Sequence, residues 1–525
     1  MKWFSVRTVA LTAALACVPA SFVVAPASAA SKILVVDTAF QLTSPDPGRQ
    51  FEMTGNMIDR TLYSTLLTYK QGNIAKPIPD LATSWKASAD AKVYTFTLNK
   101  KARFSDGKPV TSADVVWSLN RLKYIAGNPS SLMTGITPTA PNKYTVVLTS
   151  DQANTAIPSI VTSPSLGVLN SKVVKAHGGT SEPNSSTTDH ALNYLKTHSA
   201  GSGPYLLKSF GLTTQVVLVK NKKYWGHKAG YDKIVIRNVP GNIQRLNVIK
   251  GASQIAVDLS PDQASGIKNL NVVKGQSSNF FFVYASQNPT FSPATKFTSN
   301  PKCVEAIRYG INYNKIVKYA GTGAIQAAGV IPSVFLGALT QADRIKQDLP
   351  RAKAAFAACG VGNTLVTVYD WSDGLVNGIS FSSLATLVAE DLRLVGFNIA
   401  IKGAPIAVSL PLYRDNQEEI GVWMWGPDWP DSSNYTENFS PGTKVGLRMG
   451  WQAGADPAIS KLQAAAAVET NITKRAALYR QWGLDMNKTS PIVPLLQPAA
   501  IVVGAKSVKG LASNPIWVVN LSELK

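Results

Sequence analysis

Between Val93 and Leu98 the chain alternates, with Tyr94, Phe96 and Leu98 on one side and Val93, Thr95 and Thr97 on the other. That period of two is what a half-buried strand requires. Ser105-Asp-Gly107 supplies a turn, and the period then changes. Thr111 is followed three residues later by Asp114 as a capping box, with Val110 and Val115 placed as a hydrophobic staple. The spacing predicts a helix from there that buries Val115, Val116, Leu119 and Leu122. Further along, strand-like runs at 215–220, 234–239, 280–284, 365–369 and 492–503 interleave with helical runs near 303–319, 350–359, 380–395 and 456–487. Such interleaving defines an α/β architecture. The Ser/Thr/Asn/Gly-rich tract around 177–203 reads as the main loop-like insertion, and no short internal repeat is visible.

Length adds that 525 residues exceed one ordinary core and divide into roughly three to four units of ~150 residues. Charge adds an asymmetry of 52 Lys+Arg against 31 Asp+Glu, formally +21. The bases are dispersed, in groups no denser than Lys220-Asn-Lys-Lys223, and neither zinc-finger spacing nor an RNA-binding signature accompanies them. A solvated surface suited to an acidic medium or an anionic cell wall accounts for the charge better than a nucleic-acid partner.

The first residues carry Lys2 and Arg7, an apolar run from Val9 to about Val24, and Pro26-Ala-Ser-Ala29 with the small residues of a cleavage site. Residues 1–29 are therefore expected to be an export signal, leaving the product on the periplasmic or extracellular side of the membrane. Cys17 follows Ala14-Leu15-Ala16, without the leucine three positions earlier that lipid attachment favours, so the expected product is free rather than lipidated. No later stretch approaches the ~18–20 apolar residues of a membrane span. Beyond residue 29 only Cys303 and Cys359 remain, and a disulfide and two buried thiols are both open. His177, His190, His198 and His227 fall in one polar region, but not at helical spacing, and read as loop residues rather than metal ligands.

Several segments resemble the signature of one family. These are Pro79-Asp-Leu-Ala-Thr-Ser-Trp85, the Tyr94–Leu98 strand, Phe104-Ser-Asp-Gly107 and Thr111–Arg121. The same order continues with Gly203-Pro-Tyr205, Asn221-Lys-Lys-Tyr-Trp225, Val304–Asn312, Arg351–Gly360, Trp425–Phe439, Arg475-Ala-Ala-Leu-Tyr479 and Pro491–Leu496. The series is similar to the peptide/nickel class, family 5, of ABC-transporter extracellular solute-binding proteins, and spans nearly the whole chain after residue 29. The resemblance implies a two-lobed, type II periplasmic-binding-protein-like α/β fold, with an extra subdomain in the first lobe and a ligand cleft between lobes. On that basis residues 30–58 and 166–276 form the first lobe, 59–165 the extra subdomain, 277–488 the second lobe, and 489–525 the return to the first.

Enzyme readings find little support. There is no Gly-x-Ser-x-Gly elbow, no His-Glu-x-x-His helix and no phosphate loop, the Gly107-Lys108 pair being followed by Pro109. Asp428 and Asp431 stand three residues apart beside Pro430, whereas a glycosidase pair must flank a scissile bond. No catalytic residue and no cofactor is expected.

Residues 421–433, GVWMWGPDWPDSS, hold three of the eleven tryptophans and two carboxylates. Trp425-Gly-Pro-Asp428 resembles the Trp-x-x-Asp by which peptide-binding members hold a ligand's α-amino group, and this makes Asp428 the principal candidate. A carboxylate facing an ammonium in a closed cleft forms a charge-assisted bond at low effective dielectric. Trp423, Trp425 and Trp429 are the expected walls, each with core packing as the alternative, and strand alternation puts Trp423 and Trp425 on one face. Asp431 is a second ligand candidate, equally explained by an Asx turn with Ser432 and Ser433. Where some peptide-binding relatives place an arginine for the ligand carboxylate, this chain has Val422.

The expected function is capture of dipeptides or oligopeptides by hinge closure and delivery to ABC permease and ATPase subunits, the protein acting as a monomer that touches the membrane only through the permease. An oligosaccharide stacking on the tryptophans is the alternative solute, nickel is less favoured because the histidines lie outside the matched cleft segments, and a structural or adhesive surface protein is the alternative from a different class.

Overall fold

The computed structural model describes residues 31–40 and 42–525, together with Met1 and Trp3; the rest of the expected export signal lies outside the described residues. Two large sheets organise the chain. The first has seven strands in the order Leu270–Gln276, Ala499–Ala505, Ile255–Ala256, Ile33–Thr38, Lys233–Asn238, Gln215–Lys220 and Tyr205–Phe210. Ile33–Thr38 runs parallel to both of its neighbours, and the other pairings are antiparallel. Leu34, Val36, Ile234, Ile236, Val216 and Leu218 are fully buried and form one core. The second sheet has six strands in the order Ile325–Gln326, Ile492–Gln497, Phe280–Ala285, Ile420–Trp425, Leu365–Trp371 and Asn398–Ala404. All six residues of Phe280–Ala285 are buried because the strand is covered on both faces. Phe281 and Val283 join a core of helices that includes Pro301–Gly310 and Phe381–Val395, while Phe280, Phe282 and Tyr284 join an aromatic core with Tyr435, Phe439 and Trp482.

A smaller antiparallel sheet, Ala82–Ala87, Val93–Leu98, Thr145–Ser150 and Ile136–Asn142, forms a separate unit against the helix Ser112–Tyr124. The capping box is present, with the Thr111 amide donating to Asp114 Oδ2 at 3.0 Å. Val115, Leu119 and Leu122 pack into this unit, Val116 is only half-buried, and Trp117 packs instead into the first lobe, so one helix bridges two cores. Arg121, on the same helix, is buried between Asp46 (2.6 Å) and Asp189 (2.8 Å), which ties the 177–203 tract down. That tract contains the short helices Ser185–Thr188 and Leu192–Leu195, and His177 and His198 stack on Tyr194 at 3.8 and 4.6 Å.

Cys303 and Cys359 are joined in a disulfide, Cα to Cα 5.0 Å, linking the helices Pro301–Gly310 and Leu349–Cys359. Among the described residues no helix is long and apolar enough to cross a membrane.

The chain passes between the large sheets twice. Leu270–Gln276 in the first continues through Ser277–Asn279 into Phe280–Ala285 in the second, and Ile492–Gln497 returns through Pro498 into Ala499–Ala505. The apolar run 492–503 is thus two strands in two sheets, and the return falls at Pro498 rather than at residue 489. The crossings are bonded together: the Ser277 amide donates to Pro498 O at 3.1 Å, and Gln497 Nε2 donates to Ser277 O at 2.6 Å. Two adjacent crossing strands, each able to bend at a few residues, make a hinge.

Candidate functional site

The space between the sheets forms adjoining compartments beside this hinge. One of about 590 Å³ is walled by Phe40, Glu52, Val257 and Asp258 from the first lobe and by Trp371 and Leu375–Asn377 from the second. It shares Met53, Val376 and Pro515 with a compartment of about 350 Å³ that is lined by Asn56, Ser278, Asn279, Met424, Gly426, Pro427 and Asp428. Gly426 allows this arrangement, since a Cβ there would meet Asn279 Oδ1 at 2.5 Å. The crossing strand and the segment bearing Asp428 are thereby held in contact.

Asp428 lines the smaller compartment with its side chain 28% exposed, and Lys444 Nζ stands 3.8 Å from Oδ2. Enclosure raises its carboxyl above the ordinary value, offset in part by Lys444 and Arg448. A carboxylate so placed gains by meeting a cation from solution.

The other sequence candidates lie elsewhere. Trp423 and Trp425 do share a face, but it is the aromatic core behind the cavity. Trp423 stacks on Tyr413 at 4.3 Å and donates to Glu418 Oε2 at 2.7 Å; Trp425 donates to Asn434 Oδ1 at 3.1 Å. Met424, on the opposite face of the same strand, reaches the compartment. Trp429 packs against the small-sheet unit and donates to Ser433 Oγ at 2.9 Å. Asp431 accepts from the Ser433 amide at 2.9 Å, an Asx turn, and is 3.8 Å from Arg475 with Ser159 and Tyr479 hydroxyls at 3.4 Å. None of Trp423, Trp425, Trp429 and Asp431 lines either compartment, so the tryptophan surface expected for sugar stacking is spent on packing.

The aromatic residues on the larger compartment's wall are Phe40 and Trp371, neither of which sequence reasoning singled out, and beside Trp371 the hairpin Leu375–Val376 and Ile379–Ser380 reaches across to the first lobe. Its turn residues Asn377 (φ 51°) and Gly378 (φ 77°) both adopt the left-handed conformation, and the Gly378 Cα packs so closely on Ser260 that a Cβ would meet Ser260 Cβ at 2.7 Å. Asn-Gly between Val376 and Ile379 is a hairpin signal and was available in the sequence. Asp258 and Glu52 carry no such local signal.

The chain matches the family described as "Bacterial extracellular solute-binding proteins, family 5 Middle" over residues 76–446, and it belongs to that family. The "Probable D,D-dipeptide-binding periplasmic protein DdpA" of Escherichia coli is 26% identical over 504 residues, covering 94% of each chain. Among solved structures, HbpA2 from Haemophilus parasuis superimposes with a TM-score of 0.80 at 20% identity, covering 94% of this chain and 99% of that one. The ABC transporter-associated periplasmic binding protein DppA from Helicobacter pylori, in complex with the peptide STSA, does so with a TM-score of 0.73 at 22% identity, covering 94% and 97%. The fold is the two-lobed type II fold of periplasmic binding proteins.

Proposed function

We propose that the chain captures peptides with a free amino terminus between its lobes and hands them to the permease and ATPase subunits of an ABC importer on the outer side of the membrane. The observation that carries this reading is Asp428, a partly enclosed carboxylate on the wall of an interlobe cavity beside a two-strand hinge. The cavities of about 590 and 350 Å³ suit a short peptide, and the relatives whose names specify a D,D-dipeptide or a bound tetrapeptide lie in the same direction. Closure follows from the hinge: a ligand touching Asp428 on one lobe and the Glu52–Thr54 wall on the other stabilises the closed population, and no bond in the ligand need be made or broken. Native mass spectrometry of residues 30–525, followed by denaturation and identification of the released molecule, tests it. Peptides with free amino termini, absent from Asp428→Ala, are the expected result; a released sugar or lipid would retain the fold and remove the peptide.

A further inference from the structure

A chain with 52 bases and 31 acids has a cleft of the opposite sign. A third compartment, also about 590 Å³, shares Val257, Asp258 and Asn377 with the first. Among the described residues, the charged side chains lining the three compartments are Glu52, Asp258 and Asp428, with no Lys, Arg or His. A wall drawn at random from this composition would carry more bases than acids.

Asp258 is the best placed of the extra carboxylates. It lies just beyond the strand Ile255–Ala256, and Oδ2 accepts from the Ala39 amide at 2.6 Å and from Gln244 Nε2 at 3.1 Å. Both donors are neutral, so they fix the group's direction without cancelling its charge. Solvent reaches Asp258 within the cleft, and among the described residues neither it nor Glu52 has an ion-pair partner. Enclosure by the cleft walls pushes the Asp258 carboxyl above its ordinary value, the cost of a carboxylate without a counter-charge. Phe40, Val257 and Trp371 line the compartment that Asp258 shares, an apolar passage for the methylene stem of a long basic side chain.

Resting on the peptide reading above, we infer that the solute is a cationic peptide, its amino terminus held at Asp428 and a lysine or arginine side chain held at Asp258 and Glu52. A peptide with neutral side chains is a zwitterion, and the base nearest these walls, Lys444, is already turned to Asp428 at 3.8 Å. One additional ammonium or guanidinium brings the ligand's charge into line with the cleft.

The experiment is isothermal titration of the wild-type protein with Ala-Lys-Ala, Ala-norleucine-Ala and Ala-Glu-Ala, and with the peptide-free amines cadaverine and agmatine. The expected result is Ala-Lys-Ala at least tenfold tighter than the norleucine peptide, with the glutamate peptide weaker again. Asp258→Asn/Glu52→Gln, checked for an unchanged melting temperature, is expected to bring the lysine peptide to the norleucine peptide's level. Equal or reversed affinities in the wild-type series overturn the cationic preference and leave peptide capture standing. Binding of cadaverine or agmatine without any peptide overturns the peptide reading and keeps the charge, while binding of none overturns both. The comparison among ligands needs no variant, so misfolding of the double substitution does not blunt it.

Discussion

Lys444 Nζ lies 3.8 Å from Asp428 Oδ2 and 5.4 Å from the centroid of the Trp425 ring. The lysine is more than half exposed, so this pair is a screened one, on the order of 0.5–1 kcal/mol. On the proposed reading it is nevertheless a competitor, since an incoming ammonium would take the same carboxylate. Lys444→Met is expected to tighten binding of a free-amine peptide by roughly two- to fivefold at low salt, with the advantage shrinking as salt is added. Titrations at two ionic strengths check it; weaker binding in Lys444→Met would show that the lysine serves the ligand instead.

The contact between Gly426 and Asn279 joins the segment bearing Asp428 to the crossing between the sheets. A methyl group at residue 426 meets Asn279 Oδ1 at 2.5 Å, so the Asn279 side chain, which sits on the crossing segment, has to turn away or the two segments have to part. Gly426→Ala is expected to cost about 1–3 kcal/mol of stability, as overpacking does, and to weaken ligand binding beyond that of an equally destabilised variant far from the hinge. Thermal unfolding and titration on the same samples separate the two effects.

Two enclosed glutamates give stability a pH dependence. Burial pushes Glu418 up to about 7 although Trp423 and Tyr284 donate to it, and burial with Asp431 nearby pushes Glu437 up to about 7. The folded state therefore holds these protons more tightly than the unfolded chain, whose glutamates titrate near ~4.3. Their contribution is fully present below about pH 4.3 and is lost as pH rises through 7. The unfolding midpoint is expected to fall between pH 5 and pH 8, and Glu418→Gln, which keeps an acceptor for both donors, to flatten that fall. Asp189 and Asp343, held low by Arg121 and Arg480, act in the opposite sense only at more acidic pH.

The Cys303–Cys359 bond closes a loop of 56 residues within the second lobe. In the chain-entropy account such a cross-link is worth about 4 kcal/mol against the unfolded state. Cys303→Ser/Cys359→Ser is expected to unfold at lower denaturant while binding ligand with unchanged affinity, because neither cysteine lines the cleft. Denaturation midpoints and titration test both halves.

Local patterns were the legible part of this fold. The Val93–Leu98 alternation and the Thr111–Asp114 cap appear where the spacing puts them, since both are decided within a few residues. The same alternation placed Trp423 and Trp425 together, yet it is silent on which face of a doubly covered strand meets the cavity, and Met424 does. The run 492–503 reads as one strand because apolar content does not mark a hinge; Pro498, without an amide to donate, does. Asp258 and Glu52 are 206 positions apart in the sequence, and only the tertiary fold brings both to the lining of one compartment.

The central claim is that Asp428 holds a ligand's amino terminus, and the most direct measurement is titration of one peptide and its N-acetylated twin into wild type and Asp428→Asn. Acetylation removes the ammonium and nothing else, and a charge-assisted bond lost inside a cleft is worth a few kcal/mol, about a hundredfold in affinity. The expected result is that loss in wild type and little difference between the two peptides in Asp428→Asn. Equal binding of both peptides to the wild-type protein would contradict the account.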